Sequence, residues 1–335
     1  MSGLPRAVRV REVGPRDGFQ NEPEVIPTER KVELIDALAR TGLRRLEVTS
    51  FVRADVIPQL ADAAQVLTGI EVPAHVSVSV LIPNERGLDA ALELRERIGG
   101  ADGALAPAPA PGAGAGGERA VRARPAFDEI NVFMSASETH NRKNVNRSIA
   151  ESLAGLRTVL GRARAEGLRC EAVVSTSFGC PYEGHVRPER VLEIACELRD
   201  AGAQEVGFGD TTGMANPRQV GEFFAAARER LGDGVELTAH FHNTRGQGLA
   251  NVLAALEAGI ESFESSFGEL GGCPVPAGAT GNIASEDLVS MLHEMGIETG
   301  IELPALLACA RRVQEILGRP LGSHTLVAGP VNWSG

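Results

Sequence analysis

A chain of 335 residues, 43% apolar and 23% charged, has the balance of a folded globular protein and not of a disordered or fibrous one. With 44 acidic against 33 basic side chains, its net charge of −11 repels a phosphate backbone, so no nucleic-acid partner is expected, although a few cleft arginines can still hold a small anion. There is no apolar leader or membrane-length apolar run, and Cys170, Cys180, Cys196, Cys273 and Cys309 lack CxxC spacing, so the expectation is a cytoplasmic protein with no membrane contact, disulfide framework or zinc site.

Short β-rich runs alternate with longer amphipathic stretches along the chain, the rhythm of βα units and a parallel sheet. The predicted strands are 8–13, 44–50, 75–82, 129–135, 171–177, 204–210, 236–242 and 262–267. Between the first two, TERKVELIDALART reads as a helix, with Pro27 and Thr28 at its start and Gly42 as its stop. ESLAGLRTVLGRARAEG and PERVLEIACELRDAG read the same way, each ending in glycine. Eight such units predict a (β/α)8 TIM barrel, although an open doubly wound sheet has a similar rhythm. The expected organisation is one catalytic domain over 1–320, with a C-terminal loop and helical extension and a tail at 321–335.

Residues 99–126, rich in Ala, Pro and Gly, break the pattern and cannot bury an apolar face. They are expected to form an insertion between the third helix and the fourth strand, at the barrel face opposite the catalytic one. Gly112, Gly114 and Gly117 match GxGxxG, but prolines and not a strand precede them, so the match is rejected.

The sharpest local signal is His240-Phe241-His242 at the end of the seventh strand, where period-two geometry sends both imidazoles to one face and Phe241 to the other. Taken alone, the pair fits a satisfied polar cluster as well as a metal site. Oxygen ligands are available from Asp17 after the first strand and Asn282 after the eighth; a mixed N/O set of this kind suits Mg²⁺ or Mn²⁺. Locally, Asp17 also reads as a turn residue before Gly18 and Asn282 as a helix cap, while Arg16 and Glu47 read as solvated charges or ion pairs. What raises all four is their shared place at C-terminal strand ends, where a barrel builds its site. Asp210 closes the sixth strand, either beside a metal ligand or capping a turn. Cys273, between Gly272 and Pro274 in the Gly-rich stretch 265–282, is expected on a pliable loop over the barrel mouth as an acid/base or redox-sensitive thiol.

With these residues in view, the sequence resembles the 3-hydroxy-3-methylglutaryl-CoA lyase family over nearly its whole length. The resemblance is carried by EVGPRDGFQNE, EVTSFV, SASE, KNVNRS, GCPYEG, GDTTG, HFHNTRGQGLAN and LGGCPVPAGATGNIASEDLV. It implies a divalent metal held by Asp17, His240, His242 and Asn282, with Glu47 in the metal's outer surroundings. It further implies Arg16 at the enolate oxygen and Cys273 as the loop thiol that protonates or shields the released carbanion. The implied reaction is retro-aldol cleavage of an acyl-CoA substrate to acetyl-CoA and acetoacetate, with Asp17 or a water relayed through His240 as base. Asn243, Glu269, Pro23 and Val275 depart from the usual pattern. They leave open a different acyl group, such as citramalyl-CoA or an isoprenoid-derived glutaryl-CoA, because a carboxylate at Glu269 can repel or reposition an acidic acyl chain. Claisen-type 2-isopropylmalate or homocitrate synthesis and a non-catalytic acyl-CoA-binding barrel are the competing functions. Apolar helix faces permit a homodimer without requiring one.

Overall fold

The computed structural model describes residues 3–99, 126–272 and 280–333. Eight parallel strands close into a barrel in sequence order: β1 (Arg9–Glu12), β2 (Arg45–Ser50), β3 (Ser77–Leu81), β4 (Glu129–Ser135), β5 (Arg169–Ser175), β6 (Glu205–Asp210), β7 (Glu236–Phe241) and β8 (Ser262–Ser265). Hydrogen bonding between β1 and β8, with Arg9 opposite Ser262 and Glu12 opposite Ser265, completes the closure and excludes the open-sheet alternative. Each predicted strand is present with its ends moved by two residues or fewer.

The sheath comprises α1 (Thr28–Leu38), α2 (Ala63–Gly69), α3 (Glu85–Gly99), α4 (Glu138–Val145), α5 (Ile149–Ala165), α6 (Pro188–Asp200), α7 (Pro217–Leu231), α8 (Gly248–Glu257) and α9 (Ser285–Glu294). Then α10 (Leu303–Leu317) packs against α1 and α9, and the short α11 (His324–Ala328) packs beside α9. The C-terminal extension is therefore built into the helical ring. Local chemistry sets the helix starts: Ser148 Oγ accepts from Glu151 N at 3.2 Å while Glu151 Oε2 accepts from Ser148 N at 2.7 Å, a reciprocal cap on α5. Pro27 precedes α1 as expected, but the helix ends at Leu38, short of Gly42. Gly42 serves a different need: it has φ +95°, and a Cβ there would lie 2.0 Å from Gly300 O.

Outward-facing strand residues such as Val48, Val80, Val132, Val174, Phe208 and Phe241 are buried against the helices. Phe241 packs beside Phe178, their ring centroids 5.9 Å apart, on the face opposite the two histidines. The barrel interior is ionic and not filled by aliphatic layers. Arg11 contacts Glu264 at 2.9 Å, Glu129 at 3.3 Å and also Glu171, and Arg45 contacts Glu205 at 2.6 Å and Glu129 at 2.7 Å. Burial opposes the charge on Glu205, but Arg45 and Arg11 outweigh it and hold the carboxyl well below the usual range. Breaking such a buried cluster from one side strands a charge, which makes its members mutually dependent.

The expected insertion lies outside the described residues apart from Gly99 and Ala126. Its flanks are the end of α3 and the approach to β4, at the N-terminal end of the barrel. Among the described residues no helix is long and apolar enough to cross a membrane.

Candidate metal and active site

Asp17 is placed by the turn Gly14–Gly18, a single wide helical turn that follows β1. The turn packs tightly: a Cβ on Gly14 would fall 2.4 Å from the Phe267 ring and 2.7 Å from Glu12 Oε1. Glu12 fastens the turn to the chain after β8, accepting from Gly14 N at 2.7 Å, Phe267 N at 3.0 Å and Ser285 Oγ at 2.5 Å. Asp17 is thus both a turn residue and a group aimed into the barrel mouth, where its carboxylate converges with His240 and His242, the ligand atoms within 4.8 Å of one another. Asn282 joins them, its Nδ2 donating to Asp17 Oδ2 at 2.8 Å and to Leu270 O at 2.9 Å. It is not a helix cap, since α9 begins later with Ala284 at its N-cap.

The electrostatics separate the two histidines. Burial works against a proton on His240, but Glu264 Oε2 at 2.8 Å from Nδ1, with Asp17 nearby, raises its affinity above the ordinary value. Burial and then the charge on His240 push His242 down to about 3, so it stays neutral. The Asp17 carboxyl is raised by burial, yet Arg16, His240 and the Asn282 hydrogen bond together hold it below its usual value. Glu264 is also raised by burial, and the His240 hydrogen bond and Arg11 bring it down to about 2.

These residues fit a divalent cation. The two imidazole Nε2 atoms face each other at 3.1 Å beside a carboxylate, and the Asn282 Oδ1 atom is buried without a hydrogen-bond partner among the described residues. Two ring nitrogens and two hard oxygens form a set suited to Mg²⁺ or Mn²⁺, and among the described residues no thiolate lies within the converging groups.

Arg16 reaches both Asp17 Oδ1, at 2.6 Å from Nη1, and Glu47 Oε2, at 2.7 Å from Nε. Burial opposes its charge, but Glu47 and Asp17 outweigh it and lock the guanidinium in the ionised form. Glu47 therefore contacts Arg16, and its bearing on the converging ligands runs through that arginine. Asp210 Oδ1 accepts from Met214 N at 2.7 Å and Ala215 N at 3.1 Å, the turn-capping role, while burial pushes its carboxyl up to about 6.

Cys273 and Val275 lie outside the described residues, as does the middle of the stretch 265–282. Its described stems are held at defined points. Asn21 Nδ2 donates to Gly272 O at 2.8 Å, and Gly271 sits at φ +92° where a Cβ would meet Asn282 Nδ2 at 2.5 Å. Pro23 is exposed. Asn243 and Glu269 touch: Asn243 Nδ2 donates to Glu269 Oε1 at 2.5 Å. One oxygen of the Glu269 carboxylate is thereby engaged by Asn243, and the other lies beside Gly322. Sequence reasoning missed Glu12, Glu264 and Arg11. Arg11 and Glu264 occupy inward positions of period-two strands, a signal that was present but gave no partner, while Glu12, next to Arg11, lies on the opposite face of β1 against the chain after β8.

A closed (β/α)8 barrel with a metal-competent cluster at the C-terminal ends of its strands defines a barrel enzyme of the metal-assisted kind. The HMGL-like family model matches residues 7–313. The hydroxymethylglutaryl-CoA lyase YngG of Bacillus subtilis is 44% identical over 96% of this chain and 97% of its own length. The mitochondrial hydroxymethylglutaryl-CoA lyase of Gallus gallus is 39% identical over 96% of this chain and 97% of its own length. Among solved structures, the Acinetobacter baumannii HMG-CoA lyase in complex with coenzyme A and 3-methylmalate superposes with a TM-score of 0.85 at 36% identity, covering 99% of this chain and 98% of that one. The carboxyl transferase domain of Rhizobium etli pyruvate carboxylase, at 18% identity and a TM-score of 0.63 over 98% of this chain and 50% of that one, shares the fold alone. The chain belongs to the HMGL-like family, and within it the similarity is to hydroxymethylglutaryl-CoA lyases.

Proposed function

We propose that this protein is a lyase that cleaves 3-hydroxy-3-methylglutaryl-CoA to acetyl-CoA and acetoacetate. The observation that carries the reading is the convergence of Asp17, His240 and His242 at the barrel mouth, with the locked Arg16 guanidinium hydrogen-bonded to Asp17. Asp17, His240, His242 and Asn282 would hold the cation, which when bound acidifies the tertiary hydroxyl and orients the acyl group. Mg²⁺ or Mn²⁺ is the proposed ion.

The hydroxyl proton has two routes out, to the Asp17 carboxylate or to a water relayed through His240, whose ring Glu264 orients. As the proton leaves, the C2–C3 bond breaks, acetoacetate forms, and the electron pair passes to the thioester as an enolate. Arg16 is fixed by Glu47 and Asp17 before the reaction begins, so it meets the developing negative charge without reorganising. Cys273, a residue of the family's LGGCP motif, is proposed to return a proton to C2. The cysteines among the described residues are free thiols, in keeping with the proposed cytoplasmic location. Acyl-CoA is the proposed partner, and a homodimer the proposed assembly.

The deciding assay is acetyl-CoA release from 3-hydroxy-3-methylglutaryl-CoA with Mg²⁺ or Mn²⁺, with and without EDTA, beside citramalyl-CoA and a longer isoprenoid-derived glutaryl-CoA. Metal-dependent turnover, fastest on the first substrate, is expected. Turnover of none of them by a metal-loaded protein would sink the assignment.

A further inference from the structure

Asn243 follows His242 at the end of β7 and binds both stems of the segment that carries Asn282. Its backbone N–H donates to Gly281 O at 3.0 Å, and its side-chain Nδ2 donates to Glu269 Oε1. Its Oδ1 accepts from Gly248 N at 3.2 Å, which orients the amide so that Nδ2 faces Glu269. The two stems are in backbone contact, since a Cβ on Gly281 would lie 2.0 Å from Gly271 O and 2.3 Å from Glu269 O. Gly281 in turn precedes Asn282, whose amide meets Asp17.

Glu269 itself holds φ +66°, a left-handed conformation that a side chain other than glycine's rarely adopts. A residue kept in that region needs its surroundings to over-determine it. Asn243 supplies one restraint. The C-terminal segment supplies another, because Gly322 N donates to Gly268 O at 3.0 Å and a Cβ on Gly322 would strike the Glu269 carboxylate at 2.2 Å.

We propose that Glu269 is a positioning residue: acting through Asn243, it fixes the stem bearing Asn282 against the strand end bearing His242 and so sets the geometry of the cation site. The inference rests on the cation-site reading above but concerns residues outside the ligand set. Glycine at this position removes the clamp while relieving the left-handed backbone, so the fold survives the test. Glutamine keeps an oxygen for Asn243 and discards only the charge.

The experiment compares the full-length protein with its Glu269→Gly, Glu269→Gln and Asn243→Ala variants by Mn²⁺ titration and by hydrogen exchange of peptides containing Asn243 and Asn282. In Glu269→Gly, Mn²⁺ affinity should weaken by about tenfold. Exchange at Asn243 should accelerate while the melting temperature stays within about 2 °C. Glu269→Gln should restore both readouts, and Asn243→Ala should match Glu269→Gly. Unchanged affinity and exchange in Glu269→Gly, or a Glu269→Gln variant as impaired as the glycine one, would overturn the proposal. If the wild-type protein binds no Mn²⁺ the functional reading fails separately, and exchange at Asn243 alone then decides whether the clamp exists.

Discussion

His240 and Glu264 stand directly opposite each other on β7 and β8, with Nδ1 and Oε2 2.8 Å apart. The same carboxylate takes Arg11 from the barrel floor at 2.9 Å through its other oxygen. Glu264 therefore joins the ionic interior to the ligand cluster, fixing the His240 tautomer so that Nε2 is the atom offered to a cation.

Replacing Glu264 by Gln removes the charge from both links. Mn²⁺ affinity is expected to fall by about 10- to 100-fold, as for other partners that orient a ligating histidine. Isothermal titration on the folded variant checks this; wild-type affinity would show that the hydrogen bond does not govern the site.

Arg16→Gln should lower kcat by about 10²- to 10³-fold, the usual effect of removing one preorganised donor to a developing oxyanion. Mn²⁺ stoichiometry should be retained and KM should change little. A loss confined to KM would instead assign Arg16 to ground-state binding.

Glu286 is raised by burial to about 7 and carries Gly268 N on its two oxygens at 3.2 Å and 3.0 Å. Its folded value lies above the ordinary carboxyl value of 4.5, so its neutral form contributes stability that is fully present below 4.5. That contribution is lost as pH rises toward 7, and the difference amounts to about 3 kcal/mol. Glu286→Gln should flatten the fall in melting temperature between pH 5 and pH 8. Glu12, pushed up to about 8 by burial, retains part of the slope. Parallel melting curves for variant and wild type would refute the assignment.

Gly99 and Ala126, which flank residues 100–125, stand at the end of α3 and before β4, away from Asp17 and the histidines. Exchanging residues 100–125 for a short Gly/Ser linker is expected to leave kcat within about twofold, because catalytic groups of a barrel sit at the opposite face. A large loss in a variant with the wild-type melting temperature contradicts this.

The architecture was legible in the sequence because period-two strands and amphipathic helices are local patterns. RVREV, EINVFMS and QEVGFGD each declare a strand by themselves, and placing Asp17, His240 and Asn282 at strand ends needed only the count of βα units. Helix ends were read less well: Gly42 looked like a stop, while its backbone is demanded by Gly300, far away in sequence.

Local pattern in the chain was enough for the succession of eight βα units, the face on which each inward side chain lies and the residue types brought to the strand ends. Closure of the sheet, and which side chains meet across it, emerge only in the folded chain. Glu47 grips Arg16, Glu264 bridges His240 and Arg11, and Asn243 ties Glu269 to the stem before Asn282. Strand periodicity fixes the face of a residue. The stagger of a closed barrel and the backbone path after β8 fix its partner, and both are properties of the whole closed sheet.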